Sequence, residues 1–178
     1  TLNLSYGTKI VAAGTGMLLN NEMDDFSAKE NEPNFYGLIG RQANAIEPGK
    51  RMLSSMTPTI VLKEGKPLLV TGSPGGSTII TTTMQIILNV LEHKMSLSDA
   101  VSSPRFHHQW LPTRVIYEPQ AFSADTRRAL ESRGHNELVV LPGTYQIGDA
   151  NSVLRTEKGI EGMADPRNAG TAVGSQGP

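Results

Sequence analysis

The pattern of apolar and polar positions predicts regular structure mainly in the middle of the chain. Two apolar runs, at residues 59–62 and 67–71, flank a short polar turn at 63–66, and this arrangement is typical of a β-hairpin. Downstream, apolar residues recur every three or four positions between Ile80 and Leu91, which is the period of an amphipathic helix. We therefore expect a hairpin that leads directly into a helix.

Capping residues and further apolar runs extend this prediction toward the C-terminus. Ser96 and Ser123 occupy positions where a side-chain oxygen can cap a helix, so we expect a short helix after Ser96 and another over residues 124–133. A strand is predicted near 114–117 and a second hairpin over 152–164. Strands, then helices, then strands again indicate an α+β fold in which sheet and helices are segregated.

The two ends of the chain carry weaker patterns. Residues 10–13 predict a strand followed by a turn at 14–16, whereas residues 27–51 show little periodicity and are rich in Asn, Pro, Gly and charge. A loop of that length inside a compact domain is usually functional or disordered. Because no repeat or linker divides the sequence, we predict one domain over residues 1–178, with a loose tail at 165–178.

Composition and charge exclude several classes of function. The chain has 16 Lys and Arg residues against 17 Asp and Glu residues, so no basic surface for nucleic acid is expected. It has no cysteine, which excludes disulfides, zinc–thiolate sites and a cysteine nucleophile. No apolar run approaches the ~20 residues of a membrane-spanning helix. The chain begins with Thr rather than Met, and we interpret it as a processed product or a fragment.

A glycine-rich loop joins the predicted hairpin to the predicted helix and is a candidate for anion binding. In Gly72-Ser73-Pro74-Gly75-Gly76, the paired glycines let backbone N–H groups approach a ligand without obstruction by side chains. At the start of a helix such amides favour negative charge, so the loop could hold a phosphate or a developing oxyanion. It lacks the Gly-Lys-Ser/Thr of a P-loop. A tight strand-to-helix turn without a ligand is the alternative interpretation.

Two polar segments are weaker candidates. The acidic stretch from Glu22 to Asp25 could bind an ammonium group or a cation, although no histidine precedes His93 and the spacing is not that of an EF-hand. The adjacent hydroxyls of Ser54 and Ser55 could bind a carboxylate. Taken alone, each segment is better explained as a solvated polar turn. We predict no metal ion and no cofactor.

Taken together, these motifs resemble the small subunit of the γ-glutamyltransferases, also called γ-glutamyltranspeptidases. The matching segments follow the family's order and spacing over nearly the whole chain, and they are residues 1–3, 18–27, 53–60, 72–76, 104–110 and 165–167. The resemblance implies the fold of the N-terminal nucleophile hydrolases, an αββα sandwich. The sandwich would be partial here, because the first strands of the family's small subunit are missing.

The resemblance also implies an activity and its partners. One precursor cleaves itself into a large and a small subunit, and the new N-terminal Thr of the small subunit becomes the nucleophile. The γ-glutamyl group of glutathione or a related donor passes through an ester on that Thr to water or to an amino-acid or peptide acceptor. The family's Thr-Thr-His beginning is absent, so we expect this chain to lack the nucleophile and to be inactive alone. The implied compartment is periplasmic or extracellular.

Several residues match positions with a known role in that family. Gly75 and Gly76 match a backbone oxyanion hole, which is the catalytic feature expected in this chain. Ser54 and Ser55 match hydroxyls that hold the α-carboxylate of the donor, together with an Arg of the large subunit.

Five further residues match the opposite end of the donor and the region around the nucleophile. Asn3, Glu22 and Asp25 match groups that hold the donor's α-amino end. Tyr36 matches a lid tyrosine, and Thr1 matches a threonine that hydrogen-bonds the nucleophile. Thr1 itself as the nucleophile is a less favoured alternative, because the Leu-Asn that follows it matches an interior strand.

Two other functions stay open at this point. A related enzyme could act on poly-γ-glutamate or on cephalosporin side chains, although the presence of both Glu22 and Asp25 favours a donor with a free α-amine. A lid at Tyr36 favours small donors over polymers. The chain could also be a non-catalytic paralogue that keeps the amino-acid pocket and lacks the nucleophile.

Overall fold

The computed structural model describes residues 1–54 and 56–174, and the chain divides into two compact units. The first unit comprises Thr1–Met56 and the second comprises Thr57–Pro178. Neither a linker nor a change in composition marks this division in the sequence, and the expected single domain over 1–178 stays a prediction.

The first unit contains little regular backbone structure. Its described residues form two short 3₁₀ helices, Glu22–Asp25 and Gln42–Asn44. Isolated β-bridges join Val11 to Leu18, Ser27 to Ala45 and Pro33 to Ile39. The strand predicted at 10–13 was wrong, since only the bridge at Val11 forms there. Ile10 and Val11 are 58% and 53% exposed, so no apolar surface of this unit stabilises an extended strand at this position.

Two β-sheets in the second unit carry most of its regular structure. The first sheet is antiparallel, and its strands are β1 (Thr59–Lys63), β2 (Lys66–Gly72), β6 (Asn151–Thr156) and β7 (Gly159–Met163), in that spatial order. The second sheet contains β3 (Phe106–His107), β4 (Val115–Tyr117) and β5 (Leu138–Val140). Strands β3 and β4 pair antiparallel, whereas β4 and β5 pair parallel.

Three α-helices accompany the sheets, namely α1 (Thr78–Leu91), α2 (Leu97–Ser102) and α3 (Ala124–Ser132). Both predicted caps are confirmed. Ser96 Oγ accepts a hydrogen bond from the Asp99 amide at 3.1 Å, and Ser123 Oγ accepts one from the Thr126 amide at 3.0 Å. Each cap satisfies one of the amides that a helix leaves unpaired at its N-terminus.

The core of the second unit lies where α1 and α2 pack on the first sheet. Leu69 of β2, Ile86 of α1 and Val101 of α2 are all fully buried there. Burial of each such side chain contributes about 1.5–3 kcal/mol. Helix α1 contacts β2 as well as β3, so the residues that join β2 to α1 are held between rigid elements.

Most predicted elements of the second unit are confirmed, including both hairpins, the three helices and the strand near 114–117. Strands β3 and β5 were not predicted; they comprise two and three residues, and neither shows a repeated alternation of apolar and polar positions. Within the predicted tail, Asp165 is 2% exposed and Arg167 forms ion pairs, so the first residues of that segment are packed.

Candidate functional site

Four of the predicted site residues lie together in the first unit, in what we call the acidic cluster: Asn3, Glu22, Asp25 and Tyr36. The Asn3 side-chain amide donates to the Asp25 carboxylate, with Nδ2 at 3.3 Å and 3.4 Å from its two oxygens. The Asn3 backbone amide donates to Asn21 Oδ1 at 2.9 Å. The structure therefore brings together the residues whose matches hold an α-amino group.

The local backbone explains why the two carboxylates meet. Glu22 and Asp25 are three residues apart on a 3₁₀ helix, where side chains at this spacing lie above one another. Phe26, which follows the helix, is only 3% exposed and anchors this end of the segment. The Asn44 side chain donates to the backbone carbonyl of Asp25 at 2.8 Å. Both acidic groups are thus fixed on one side of a short, anchored turn.

Glu22 is the most unusual group of the acidic cluster. It is 2% exposed, and among the described residues neither of its carboxylate oxygens has a hydrogen-bond partner of normal geometry. Burial, and then the neighbouring Asp25 carboxylate, raises the pKa of Glu22 to about 7, while the Asn3 backbone amide acts in the opposite direction. A cationic group placed beside this pair would satisfy both carboxylates.

No positively charged side chain fills that role. In the part of the chain that the structure describes, neither Lys nor Arg forms an ion pair with Glu22 or Asp25. A buried carboxylate without a cation is costly, and proteins usually neutralise it or pair it. The acidic cluster is therefore chemically prepared for an external ammonium group.

Tyr36 lies beside these acids and is partly buried. Burial raises the pKa of its hydroxyl, and the charges of Asp25 and Glu22 raise it further, whereas a hydrogen bond to the Leu4 backbone lowers it. The ring packs edge-on against Phe35 with centroids 5.3 Å apart. The phenol is therefore protonated at neutral pH and keeps an O–H donor near the acidic cluster.

The predicted serine pair is only partly described. Ser54 is exposed, and its Oγ lies 2.6 Å from Thr1 Oγ1, so the two hydroxyls share a hydrogen bond. The Met56 amide donates weakly to Ser54 Oγ at 3.4 Å. Ser55 lies outside the described residues. Residues 1–3 have irregular backbone rather than the interior strand that the resemblance implied.

The diglycine loop, residues 72–76, joins β2 to α1 in the second unit. Gly75 and Gly76 have φ angles of 143° and 57°, which side-chain-bearing residues rarely adopt. A Cβ on Gly75 would lie 2.5 Å from Thr78 Oγ1, so no larger residue fits without displacement. Within residues 1–54 and 56–174, no hydrogen bond is donated by the Gly75 or Gly76 amide. Both amides are therefore available to an anion.

A buried ion-pair network in the second unit was not predicted from the sequence; it is formed by Arg105, Glu118, Asp165 and Arg167. Arg167 pairs with Glu118 at 2.6 Å and with Asp165 at 3.1 Å, and Arg105 pairs with Asp165 at 2.7 Å. Arg105 and Asp165 are 60 residues apart in sequence, so no local pattern predicts that they meet.

Hydrogen bonds within the network lower the pKa of both of its acids. Burial opposes the ionisation of Glu118, but hydrogen bonds from Arg167 and from the Ile147 and Arg105 amides outweigh it and lower the pKa of Glu118. Burial also opposes the ionisation of Asp165. Hydrogen bonds from the Ala150 and Arg167 amides, and then from the Arg105 side chain, outweigh burial and lower the pKa of Asp165. Both acids are fully paired and have no capacity left for a ligand.

The described residues contain neither a cluster of metal-binding side chains nor a membrane-spanning helix. Among the described residues, no group of three or more His, Asp or Glu side chains is arranged to hold a metal ion. Over the same part of the chain, no helix is both long and apolar enough to cross a membrane.

Comparison with known proteins gives a consistent result. The family model described as Gamma-glutamyltranspeptidase matches residues 1–175. A glutathione hydrolase proenzyme of Escherichia coli is 50% identical over 169 residues, which cover 94% of this chain and 28% of that protein. A glutathione hydrolase proenzyme of a Pseudomonas species is 55% identical over 184 residues, which cover 98% of this chain and 32% of that protein.

A solved structure extends the similarity to three dimensions. The crystal structure of a mutant γ-glutamyltranspeptidase of Helicobacter pylori matches with a TM-score of 0.82 at 52% identity, covering 94% of this chain and 90% of that chain. This chain spans about a third of the length of the curated relatives that it matches, and those relatives are named proenzymes.

Proposed function

This chain belongs to the γ-glutamyltranspeptidase family, and from that premise we propose that it is the small-subunit part of an enzyme that transfers γ-glutamyl groups from glutathione-like donors to water or to acceptor amines. The expected α+β fold of the N-terminal nucleophile hydrolases is confirmed by the similarity to the solved structures. The observation that carries the functional proposal is Glu22, a buried carboxylate that forms no ion pair with a cationic side chain of residues 1–54 or 56–174.

Recognition begins at the zwitterionic end of the donor. Its α-ammonium group binds Glu22 and Asp25, which favours ionised Glu22 because the added positive charge offsets the cost of burial. Asn3 holds the Asp25 carboxylate in place, and the Tyr36 hydroxyl covers the bound group. The donor's α-carboxylate binds the hydroxyls of Ser54 and Ser55, and an Arg of the large subunit supplies its charge partner.

The acyl transfer needs a nucleophile and an oxyanion site. We place the nucleophilic Thr in the protein segment before Thr1, as the resemblance implies. Its hydroxyl oxygen bonds to the γ-carbonyl carbon while its α-amine accepts the proton. The amide C–N bond then breaks, and the leaving amine takes that proton. Water or an acceptor amine next attacks the ester, breaks its C–O bond and restores the threonine hydroxyl.

The diglycine loop supplies the oxyanion site in this scheme. The unpaired amides of Gly75 and Gly76 donate to the oxygen that becomes negative in the tetrahedral intermediate. Removal of one such donor typically raises the barrier by ~3 kcal/mol, so both glycines are expected to be sensitive to substitution. Thr1 hydrogen-bonds the nucleophile in the proposed enzyme.

The proposal includes one protein partner and a compartment. The large subunit comes from the same precursor, since the matched relatives are named proenzymes and are about three times as long as this chain. We assign the enzyme to the periplasm or the cell exterior.

Two observations favour this function over a glutaryl acylase and over a binding paralogue. An acylase for glutaryl side chains has no ammonium group to bind, so it would leave Glu22 and Asp25 without a counter-charge. A paralogue that only binds amino acids would keep the acidic cluster but would have no use for a diglycine loop with two unpaired amides.

The test compares two substrates on the intact two-subunit protein. We expect γ-glutamyl-p-nitroanilide to be cleaved with a kcat/KM about 10- to 100-fold above that of glutaryl-p-nitroanilide, which lacks the α-amine, because a hydrogen-bonded charge pair contributes about 1.5–3 kcal/mol. No cleavage of either substrate would reject the enzyme proposal, and equal cleavage of both would reject the role of the acidic cluster.

An Asp25→Asn variant sharpens this test. It should lower kcat/KM for the γ-glutamyl substrate by about 10- to 100-fold and leave the glutaryl substrate unaffected. Asp125→Asn is the matched control, since Asp125 lies on the exposed surface of α3 and should behave as the unmodified protein.

A further inference from the structure

We infer that the hydroxyls of Ser73 and Thr78 are positioning groups that aim the two amides of the diglycine loop at the oxyanion. The inference rests on the proposed oxyanion role of Gly75 and Gly76, and it assigns a task to two residues outside the glycine pair. It follows from which carbonyl oxygens the two hydroxyls bind.

Ser73 fixes the direction of the Gly75 amide. Its hydroxyl donates to the Pro74 carbonyl at 2.7 Å. That carbonyl and the Gly75 N–H belong to the same planar peptide unit and point in opposite directions when the peptide is trans. A hydrogen bond that holds the Pro74 oxygen on one side therefore holds the Gly75 N–H on the other.

Thr78 fixes the direction of the Gly76 amide in the same way. Its Oγ1 donates to the Gly75 carbonyl at 2.9 Å, and its backbone amide donates to the same oxygen at 3.1 Å. This carbonyl shares a peptide plane with the Gly76 N–H. The two hydroxyls thus fix the peptide planes that contain the Gly75 and Gly76 amides. Among the described residues, neither amide donates a hydrogen bond.

A second segment holds Ser73 itself. The Asp149 amide donates to Ser73 Oγ at 2.8 Å, so this oxygen accepts one hydrogen bond while it donates another. Gly148 lies against the same hydroxyl, and a Cβ there would come within 2.5 Å of Ser73 Oγ. The φ angle of Gly148 is 71°, which also favours glycine. Residues 147–150 therefore form a strap across the base of the loop.

The ion-pair network ties the strap down at both ends. The Ile147 amide donates to Glu118 Oε1 at 2.8 Å, and the Ile147 carbonyl accepts from Arg105 Nη1 at 2.7 Å. The Ala150 amide donates to Asp165 Oδ2 at 2.6 Å. The positions of the loop amides are thus set, through Ser73 and the strap, by a buried network whose two acids, Glu118 and Asp165, are both ion-paired.

This arrangement predicts a specific kinetic effect. Oxyanion donors act mainly in the transition state, so amides that are displaced or free to turn should lower kcat while leaving KM for the donor nearly unchanged. For Ser73→Ala in the two-subunit protein we expect kcat to fall about 10-fold or more. Thr78→Val should have a smaller effect, because the Thr78 backbone amide still holds the Gly75 carbonyl.

Conservative variants and controls separate positioning from general stability. Ser73→Thr and Thr78→Ser keep the hydroxyls and should recover most of kcat. Ser132→Ala removes a hydroxyl that makes only a local bond within α3, and it should leave kcat unchanged. Gly148→Ala should reproduce the kcat loss by displacing Ser73 Oγ. Gly143→Ala is its matched control, since a Cβ on Gly143 meets no atom within 4 Å.

A boronic acid analogue of the donor, which forms a tetrahedral adduct with the nucleophile, gives an independent measurement. Its affinity should fall in Ser73→Ala by a factor similar to the loss in kcat, because both depend on the oxyanion donors. An unchanged kcat in Ser73→Ala, an equal loss in Ser132→Ala, or a loss confined to KM would each overturn the inference.

The failure of this inference is distinguishable from failure of the proposed function. If the unmodified protein does not cleave γ-glutamyl-p-nitroanilide, the function itself is wrong. If it does, and both Ser73→Ala and Gly148→Ala fail to fold as judged by Tm while Gly143→Ala folds, the contact serves folding and the positioning role is rejected.

Discussion

Glu22 in the first unit and Glu118 in the second are both nearly inaccessible to solvent, at 2% and 6% exposure, but their electrostatic surroundings are opposite. Glu118 accepts two hydrogen bonds from Arg167, and its pKa is lowered despite burial. Glu22 has an acidic neighbour, Asp25, and its pKa is raised to about 7 by burial and by that neighbour.

The difference between these two acids separates a structural group from a binding group. A buried carboxylate that is already paired stabilises one arrangement of the chain and has nothing left to offer a ligand. A buried carboxylate without a partner destabilises the free protein, and a cationic ligand removes that cost when it binds. The comparison therefore supports the proposed binding role of the acidic cluster and a structural role for the ion-pair network.

The largest effect is expected from breaking the paired network. Arg167→Ala would leave Glu118 and Asp165 buried with fewer cationic partners, and it should lower the free energy of unfolding by about 3–5 kcal/mol. Urea unfolding of the two-subunit protein at pH 7 measures this loss. A loss below 1 kcal/mol would contradict the claim that the network is a major structural element.

A smaller effect of pH is expected from the unpaired acid. Because the folded-state pKa of Glu22 is raised above its ordinary value of 4.5, its contribution to stability is present below pH 4.5 and is lost as pH rises through about 7. The loss is on the order of 2–3 kcal/mol. Comparing Tm of the unmodified protein and Glu22→Gln between pH 5 and pH 8 isolates it, since the variant lacks the titrating group.

The control for the Glu22 experiment is Glu47→Gln, which alters an acid whose side chain is 57% exposed. Its Tm should follow the unmodified protein across the same pH range. The same pH dependence in Glu22→Gln as in the unmodified protein would show that Glu22 is not the group responsible.

The paired acid should respond to pH in the opposite direction. Because the pKa of Glu118 is lowered on folding, its stabilising contribution is present above pH 4.5 and is lost as pH falls through the folded-state pKa. The stability difference between the unmodified protein and Glu118→Gln should therefore narrow in acid, by at most about 1.4 kcal/mol per pH unit. Urea unfolding at pH 3, 4 and 7 measures it, and a difference that widens in acid would contradict the assignment.

The smallest effect is expected at an exposed ion pair. Lys29 and Glu32 lie 3.3 Å apart with side chains 77% and 57% exposed, so solvent screens their attraction. Lys29→Gln should change the free energy of unfolding by less than about 0.5 kcal/mol. A loss comparable to that of Arg167→Ala would mean that burial does not explain the difference between the two kinds of pair.

Sequence patterns were sufficient to predict the elements whose stability depends mainly on residues that are neighbours in the chain. The hairpin of β1 and β2, the helix α1 and the caps at Ser96 and Ser123 were predicted because turn residues, helical spacing and capping oxygens are all neighbours in sequence. The strand predicted at 10–13 failed because alternation alone does not stabilise a strand that has no apolar surface to pack against.

In the candidate site, too, local sequence patterns predicted only features that depend on residues close together in the chain. The motifs containing Glu22, Asp25, Gly75 and Gly76 were recognised from sequence, and the 3₁₀ turn that brings the two acids together needs only their spacing of three. The contact between Asp149 and Ser73 joins residues 76 apart, and no sequence signal marks it.

The sequence by itself determined the family and the α+β class, and it supplied the candidate site residues, because motifs and element types depend on residue type and short-range order. Tertiary structure alone decided which buried acids are paired and which are not. It also decided how the strap at 147–150 holds the diglycine loop. Charge pairing and burial depend on groups that only the folded chain brings together, and they set both the pKa of Glu22 and the direction of the loop amides.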